Sequence, residues 1–92
     1  MYKTIYWTLI GCIFVSGDGT GSKEKRLDNA ETPESCFEKV KTHEPTANGV
    51  TYGVHGQGRD KECYAEFGMT KMSASSQWQA CIFKGEIIYI TW

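Results

Sequence analysis

Hydrophobic and polar positions change their period three times along this chain of 92 residues. Ile5 to Val15 (IYWTLIGCIFV) is an uncharged, mainly apolar run, preceded by Lys3 and followed by Ser16-Gly17. One basic residue, a short apolar stretch and small residues where a signal peptidase reads stand in the order of a secretory signal peptide. That order predicts removal of residues 1–17 and a mature N-terminus at Asp18. The run is shorter than the roughly 20 apolar residues that cross a bilayer. A buried N-terminal strand and an uncleaved anchor are the other readings of the same residues. Asp18 to Glu31 (DGTGSKEKRLDNAE) then has one large apolar residue, Leu27, which predicts a flexible, charged, solvated leader.

From Thr32 the period becomes helical. Thr32 suits an N-cap, Pro33 the first helical position, and Glu34 the positive end of the helix dipole. Cys36, Phe37 and Val40 share one face, with Glu34, Glu38, Lys39 and Lys41 around the other. Pro45 ends the helix near Thr42 or His43. After Asn48-Gly49 the period falls to two. Val50, Tyr52 and Val54 alternate with Thr51 and Gly53, as in a half-buried strand. A Gly-rich connection, His55 to Lys61, leads to a second strand, Glu62 to Phe67. There Cys63, Ala65 and Phe67 lie on one face and Tyr64 and Glu66 on the other. Gly68 to Gln77 reads as a polar loop and Trp78 to Phe83 as a third strand. Lys84-Gly85 turns into Glu86 to Trp92 (EIIYITW), which is either a fourth strand or an exposed tail. The fold class predicted is α+β, one short helix packed on a small antiparallel sheet and stapled by a disulfide. Its domain would span residues 32–92.

Composition narrows the function. Without Lys3, nine Lys and Arg face eleven Asp and Glu, and the signs are interspersed. Such a balance lacks the basic stripe of a nucleic-acid or anionic-lipid surface. Neither a nucleic-acid partner nor membrane insertion after processing is expected. A processed chain this short is marginal on core burial alone, so covalent staples matter. Loss of Cys12 with the leader leaves Cys36, Cys63 and Cys81. Three cysteines allow one internal bridge and leave one thiol over. A Cys36–Cys63 bond would stabilise by about 3.5 kcal/mol and a Cys63–Cys81 bond by about 3.2 kcal/mol, so loop entropy does not choose.

Several strings suggest chemistry and lack its other parts. Asp18-Gly19-Thr20-Gly21 is not the Asp-Thr-Gly of an aspartic protease, and Gly17 to Lys23 lacks the Gly-Lys-Ser/Thr of a phosphate loop. His43, His55 and Cys63 match no zinc spacing. Cys81 as a nucleophile would need a neighbouring base. No catalytic residue, metal or cofactor is expected, and neither Asn29 nor Asn48 begins a glycosylation sequon. Tyr52, Arg59, Lys61, Tyr64 and Trp78 form the candidate ligand-binding set, because aromatic rings with a polar handle and Arg favour binding surfaces. In so small a domain Tyr52 and Trp78 are more readily read as core.

Glu31 to Phe83 resembles the PAN/apple-type domain of secreted and cell-surface proteins. The resemblance rests on a helix bearing Cys36, on Ala47-Asn48-Gly49-Val50-Thr51-Tyr52-Gly53, on Cys63-Tyr64-Ala65-Glu66, and on Trp78-Gln79-Ala80-Cys81-Ile82-Phe83. It implies a helix clasped to a sheet by Cys36–Cys63, in agreement with the faces above. The family's second helix-to-sheet bridge is missing, since Val40 stands where its helical cysteine would be. In such domains a cysteine on an N-terminal strand pairs with the closing cysteine, here Cys81. After removal of residues 1–17 no such partner remains, so Cys81 is expected unpaired or in a disulfide-linked dimer. The implied function is non-catalytic binding of an extracellular protein or glycan by a secreted module. A small secreted toxin-like or defence peptide is the alternative.

Overall fold

The computed structural model describes the backbone of residues 4–91 and the side chains of residues 11–85. In chain order the elements are β1 (Thr4–Gly11), β2 (Val15–Ser16), β3 (Asp18–Thr20), β4 (Lys23–Leu27), α1 (Pro33–His43), β5 (Gly49–Gly53), β6 (Cys63–Phe67), β7 (Lys71–Ser73), β8 (Trp78–Ile82) and β9 (Lys84–Thr91). Five strands make the central sheet in the order β2-β8-β5-β6-β4, with β1–β9 and β3–β7 as two further ribbons. Every described pairing is antiparallel. The fold class is the expected one: α+β, one short helix on a small antiparallel sheet, held by disulfides.

Helix α1 begins where its cap chemistry puts it. The Thr32 hydroxyl accepts from the Ser35 N–H at 3.0 Å, and the Ser35 hydroxyl accepts from the Thr32 N–H at 3.1 Å. Two orphan donors are thereby satisfied in a capping box. At the other end the Glu44 N–H reaches the Val40 carbonyl at 2.8 Å, one residue before Pro45. The helix buries Cys36 and Val40. Beneath them, strand alternation and register place Val50 and Tyr52, Cys63 and Ala65, and Cys81 on one face of the sheet, all at most 5% exposed. Phe37 meets Phe83 edge to face at 5.2 Å between ring centroids. Cys36 and Cys63, Cα atoms 5.6 Å apart, join helix to sheet through this inner face.

Four expectations differ from the structure. Cys81 is neither unpaired nor free to link a dimer, because it bonds to Cys12 with Cα atoms 5.6 Å apart. Strand β2 pairs with β8, Val15 opposite Ala80, which brings Cys12 beside Cys81. In the intact chain the segment read as a signal peptide therefore contributes strands, a half-buried Phe14 against the core and one disulfide. Residues 18–31 are not a flexible leader either. β3 pairs with β7, and β4 pairs with β6 from Lys23↔Phe67 to Leu27↔Cys63. Pairing uses the backbone alone, so the charged Lys23-Glu24-Lys25-Arg26 suits an edge strand whose side chains stay in water. Within the expected loop 68–77, Lys71–Ser73 is a strand.

The terminal apolar segment is a strand. β9 pairs with β1 from Gly11↔Lys84 to Thr4↔Thr91. Lys3 and Trp92 lie outside the described residues.

Candidate binding face

Alternation along β6 and β8 turns Tyr64, Glu66, Trp78 and Ala80 to the outer face of the sheet, opposite α1. Central strand β5 presents Thr51 and Gly53 there, with Thr51 opposite both Tyr64 and Ala80, and Gly53 opposite Trp78. Small residues between the two rings let them meet. Tyr64 and Trp78 pack edge to face at 5.5 Å and 80°, and both remain half-buried. Such a pair is worth about 0.5–1.5 kcal/mol beyond its area burial. Gly53 has a local reason as well: a Cβ there would run into the Arg59 carbonyl, since the 54–61 loop folds back over it.

Around the rings stands a charged rim. Arg26 on β4, opposite Tyr64 in register, holds its guanidinium 6.0 Å from the Tyr64 ring centroid. The Tyr64 hydroxyl donates to Glu62 Oε1 at 2.7 Å. Arg59 approaches Glu62 Oε2 at 3.6 Å and Arg26 approaches Oε1 at 4.0 Å. The hydrogen bond from Tyr64, then the two guanidinium groups, hold the Glu62 carboxyl below its usual range. Burial, with the acceptor Glu62, pushes the Tyr64 phenol up. The rim is thus fixed by charge-assisted contacts before any ligand arrives, and each Arg keeps donors facing solvent.

The five candidate residues do not form one site. Tyr64, Trp78 and Arg59 come together on the outer face. Tyr52 lies on the inner face, 5% exposed, and its hydroxyl donates to the Ala30 carbonyl at 2.6 Å. Burial raises the Tyr52 phenol. Its ring edge floors a cleft of about 280 Å³ at the start of α1, shared with Thr32, Pro33, His55, Asp60 and Lys61. Lys61 is tied across this cleft to Glu31 at 3.0 Å, and that ion pair raises the ammonium's pKa. Asp60 accepts from the Gly56 N–H at 2.8 Å and sits 3.3 Å from His55, which lowers its carboxyl. These contacts close the loop on itself. Tyr52 is packed there and Lys61 is held by Glu31, and the outer face is the better candidate.

Arg26 and Glu62 escaped the sequence reading. Only the strand character of 23–27 would have placed Arg26 beside Tyr64, and a run of charges carries no strand signal. A second assembly was also missed. Glu66, on the strand face away from α1, is 1% exposed under the β3–β7 ribbon. It joins Asp18 and Glu24, with carboxyl oxygens of the three within 4.8 Å of one another. Burial first, then Glu24 and Asp18, push the Glu66 carboxyl up to about 8, against a lowering hydrogen bond from Thr51. The Thr51 hydroxyl donates to Glu66 Oε2 at 2.7 Å. Oxygen ligands suit a hard cation such as Ca²⁺, but three carboxyls supply about half of the 6–8 ligands it takes. A protonated Glu66 is a poor ligand besides. No protein-family model, curated protein or solved structure matches the chain. No helix among the described residues is long and apolar enough to cross a membrane.

Proposed function

We propose that the chain is a secreted, non-catalytic binding module of the PAN/apple type, recognising an extracellular protein or carbohydrate through the Tyr64–Trp78 face. The observation that carries the reading is the preformed pair of half-buried rings, 5.5 Å apart, within a rim of Arg26, Arg59 and Glu62. Trp, Tyr and Arg dominate binding hot spots because rings supply area at low entropy cost and Arg supplies directional donors. Fixing the rim in advance lowers the ordering cost of association.

Two covalent features support the family reading. Cys36–Cys63 clasps the helix to the sheet, and Cys12–Cys81 ties the N-terminal segment to the closing cysteine. The first is the pairing that the resemblance implies; the second gives the closing Cys81, expected unpaired, an N-terminal partner of the kind such domains use. Two disulfides in a small chain also favour an oxidising, extracellular location.

The test is to probe glycan and extracellular-matrix protein arrays with the intact, oxidised chain and its Trp78→Ala variant. A ligand for the native chain should lose about 30-fold or more in affinity with Trp78→Ala, the effect of removing a hot spot of about 2 kcal/mol. Equal binding by both would place recognition elsewhere. The absence of any ligand across both arrays would count against the module reading itself.

A further inference from the structure

The β3–β7 ribbon lies on the outer face beside the aromatic pair, where a hydrogen bond to Thr51 and the buried Met69 meet it. Gly19 is its point of closest approach. The Gly19 N–H donates to Thr51 Oγ1 at 3.2 Å, and a Cβ at this residue would stand 2.7 Å from that oxygen and 2.9 Å from the Met69 methyl. The same Thr51 hydroxyl donates to Glu66. One hydroxyl therefore links the ribbon's backbone to a buried carboxyl. Glu66 in turn faces Glu24 directly across the β4–β6 register, and Asp18 closes the group from the ribbon itself. Three carboxyls this close, one of them out of water, cannot all ionise without strong repulsion. Glycines flank the ribbon's two strands: Gly17 and Gly21 around β3, and Gly68 before β7. Gly17 and Gly68 hold φ of +146° and +64°.

We propose that Asp18, Glu24 and Glu66 form a proton-held clasp, which keeps β3 on the outer face while Glu66 carries its proton and releases it when the proton leaves. The surrounding charges are consistent with this. From β3 the group meets Asp18, and from β4 it meets Glu24, with Arg26 two residues further on the same face but engaged with Tyr64 and Glu62. β7 brings Lys71, which stands opposite Thr20 rather than opposite Asp18. β5 and β8 bring no charged side chain to this side, only Gly49, Thr51, Gly53, Trp78, Ala80 and Ile82. Ionised Glu66 would thus meet two carboxylates at close range, with desolvation against it. Moving β3 outward admits water and separates the charges. It also uncovers Thr51, next to Tyr64 in register, and so enlarges the outer face. The raised Glu66 carboxyl, about 8, sets where the change falls. The clasp stands whether or not the aromatic face binds a ligand.

The experiment is a pH titration of the intact, oxidised chain by NMR from pH 5 to about 9.5. It follows the Glu66 side-chain ¹³C, the Gly19 amide and the Met69 methyl, with the Val40 and Val50 methyls reporting on the inner face. The Glu66 carbon, Gly19 and Met69 should move together near pH 8 while the valines stay put. Glu66→Gln should abolish the step, and Glu24→Gln should shift its midpoint to lower pH. A Glu66 midpoint below pH 6, a Gly19 amide that ignores the Glu66 titration, or a step surviving in Glu66→Gln would each overturn the clasp. If Glu66→Gln does not fold, the native and Glu24→Gln titrations decide.

Discussion

The inner face of the sheet packs Val50, Ala65 and Tyr52 under α1, and both disulfides leave from it, at Cys63 and Cys81. The outer face carries Thr51 and Glu66 under a short ribbon held by hydrogen bonds and Met69, with Tyr64 and Trp78 beside it. One cover is tied by a disulfide and packs apolar side chains, the other is held by hydrogen bonds and one buried methionine. Among the described residues the largest fully buried side chain is Glu66, with Val40 and Val50 next, so the fully buried apolar residues are small. A core of this kind leaves much of the stability to the disulfides.

Removing the N-terminal staple should have the largest effect on the inner face. A chain beginning at Asp18 loses the Cys12–Cys81 bond, whose sequence separation is 69, along with Phe14 against the core. Closing a loop of that size stabilises by about 4 kcal/mol on chain-entropy grounds. Urea denaturation of residues 18–92 against the intact chain, both oxidised, should show a loss of at least that size. Equal stabilities would mean that residues 12–17 are dispensable and that processing after Gly17 leaves a complete fold.

On the outer face the effects should be smaller and should depend on pH. Thr51→Val keeps the shape but leaves the Gly19 N–H and the Glu66 acid without their shared partner, at a cost of about 1–3 kcal/mol. Thr51→Ser should restore most of it. For Glu66 the sign follows from its raised folded-state pKa, about 8 against 4.5. Between those values the folded chain holds a proton that the unfolded chain has released. This group's contribution is therefore full below about pH 4.5 and lost as pH rises through about 8. Denaturation midpoints of Glu66→Gln should be flat over that window, where those of the native chain fall. A native midpoint that rises with pH there would mean that Glu66 is ionised in the fold.

The inner face was largely legible in the sequence. Thr32-Pro33-Glu34 marks a helix start by local chemistry, and the parity of Cys63, Ala65 and Phe67 follows from period two. The pairing of Cys36 with Cys63 came from the family resemblance and agrees with those faces. The outer face was not legible, for a physical reason. Parity correctly turned Tyr64 and Glu66 away from α1, but their burial depends on a ribbon joining residues 18–20 to residues 71–73. Nothing local in Asp-Gly-Thr or Lys-Met-Ser announces that pairing. Cys12 was hidden differently. An apolar run ending in small residues has the composition of a signal peptide and of a strand alike, and only its contact with β8 separates the two. Of the candidate site, Tyr64, Trp78 and Arg59 were legible by residue type, whereas Arg26 and Glu62 needed the register.

The smallest effect tests whether the rim is built for recognition or for stability. Tyr64→Phe deletes one hydroxyl and keeps the ring against Trp78. The lost hydrogen bond to an ionised carboxylate would cost about 1.5 kcal/mol or less, because Arg26 and Arg59 still face Glu62 and water reaches the half-buried Tyr64. That hydroxyl is the first cause of the lowered Glu62 carboxyl, so the variant's Glu62 should titrate closer to the ordinary 4.5. A carboxyl lowered in the fold stabilises above its unfolded pKa and loses that contribution as pH falls through the folded value. The difference between native and Tyr64→Phe chains should accordingly be present at pH 6 and vanish toward pH 3. Side-chain ¹³C titration of Glu62 alongside denaturation at the two pH values measures both. A loss that persists unchanged at pH 3 would place the hydroxyl's role in packing, independent of the carboxylate. A loss confined to higher pH, with the ring pair intact, would leave the rim as a charge-fixed frame around two aromatic rings.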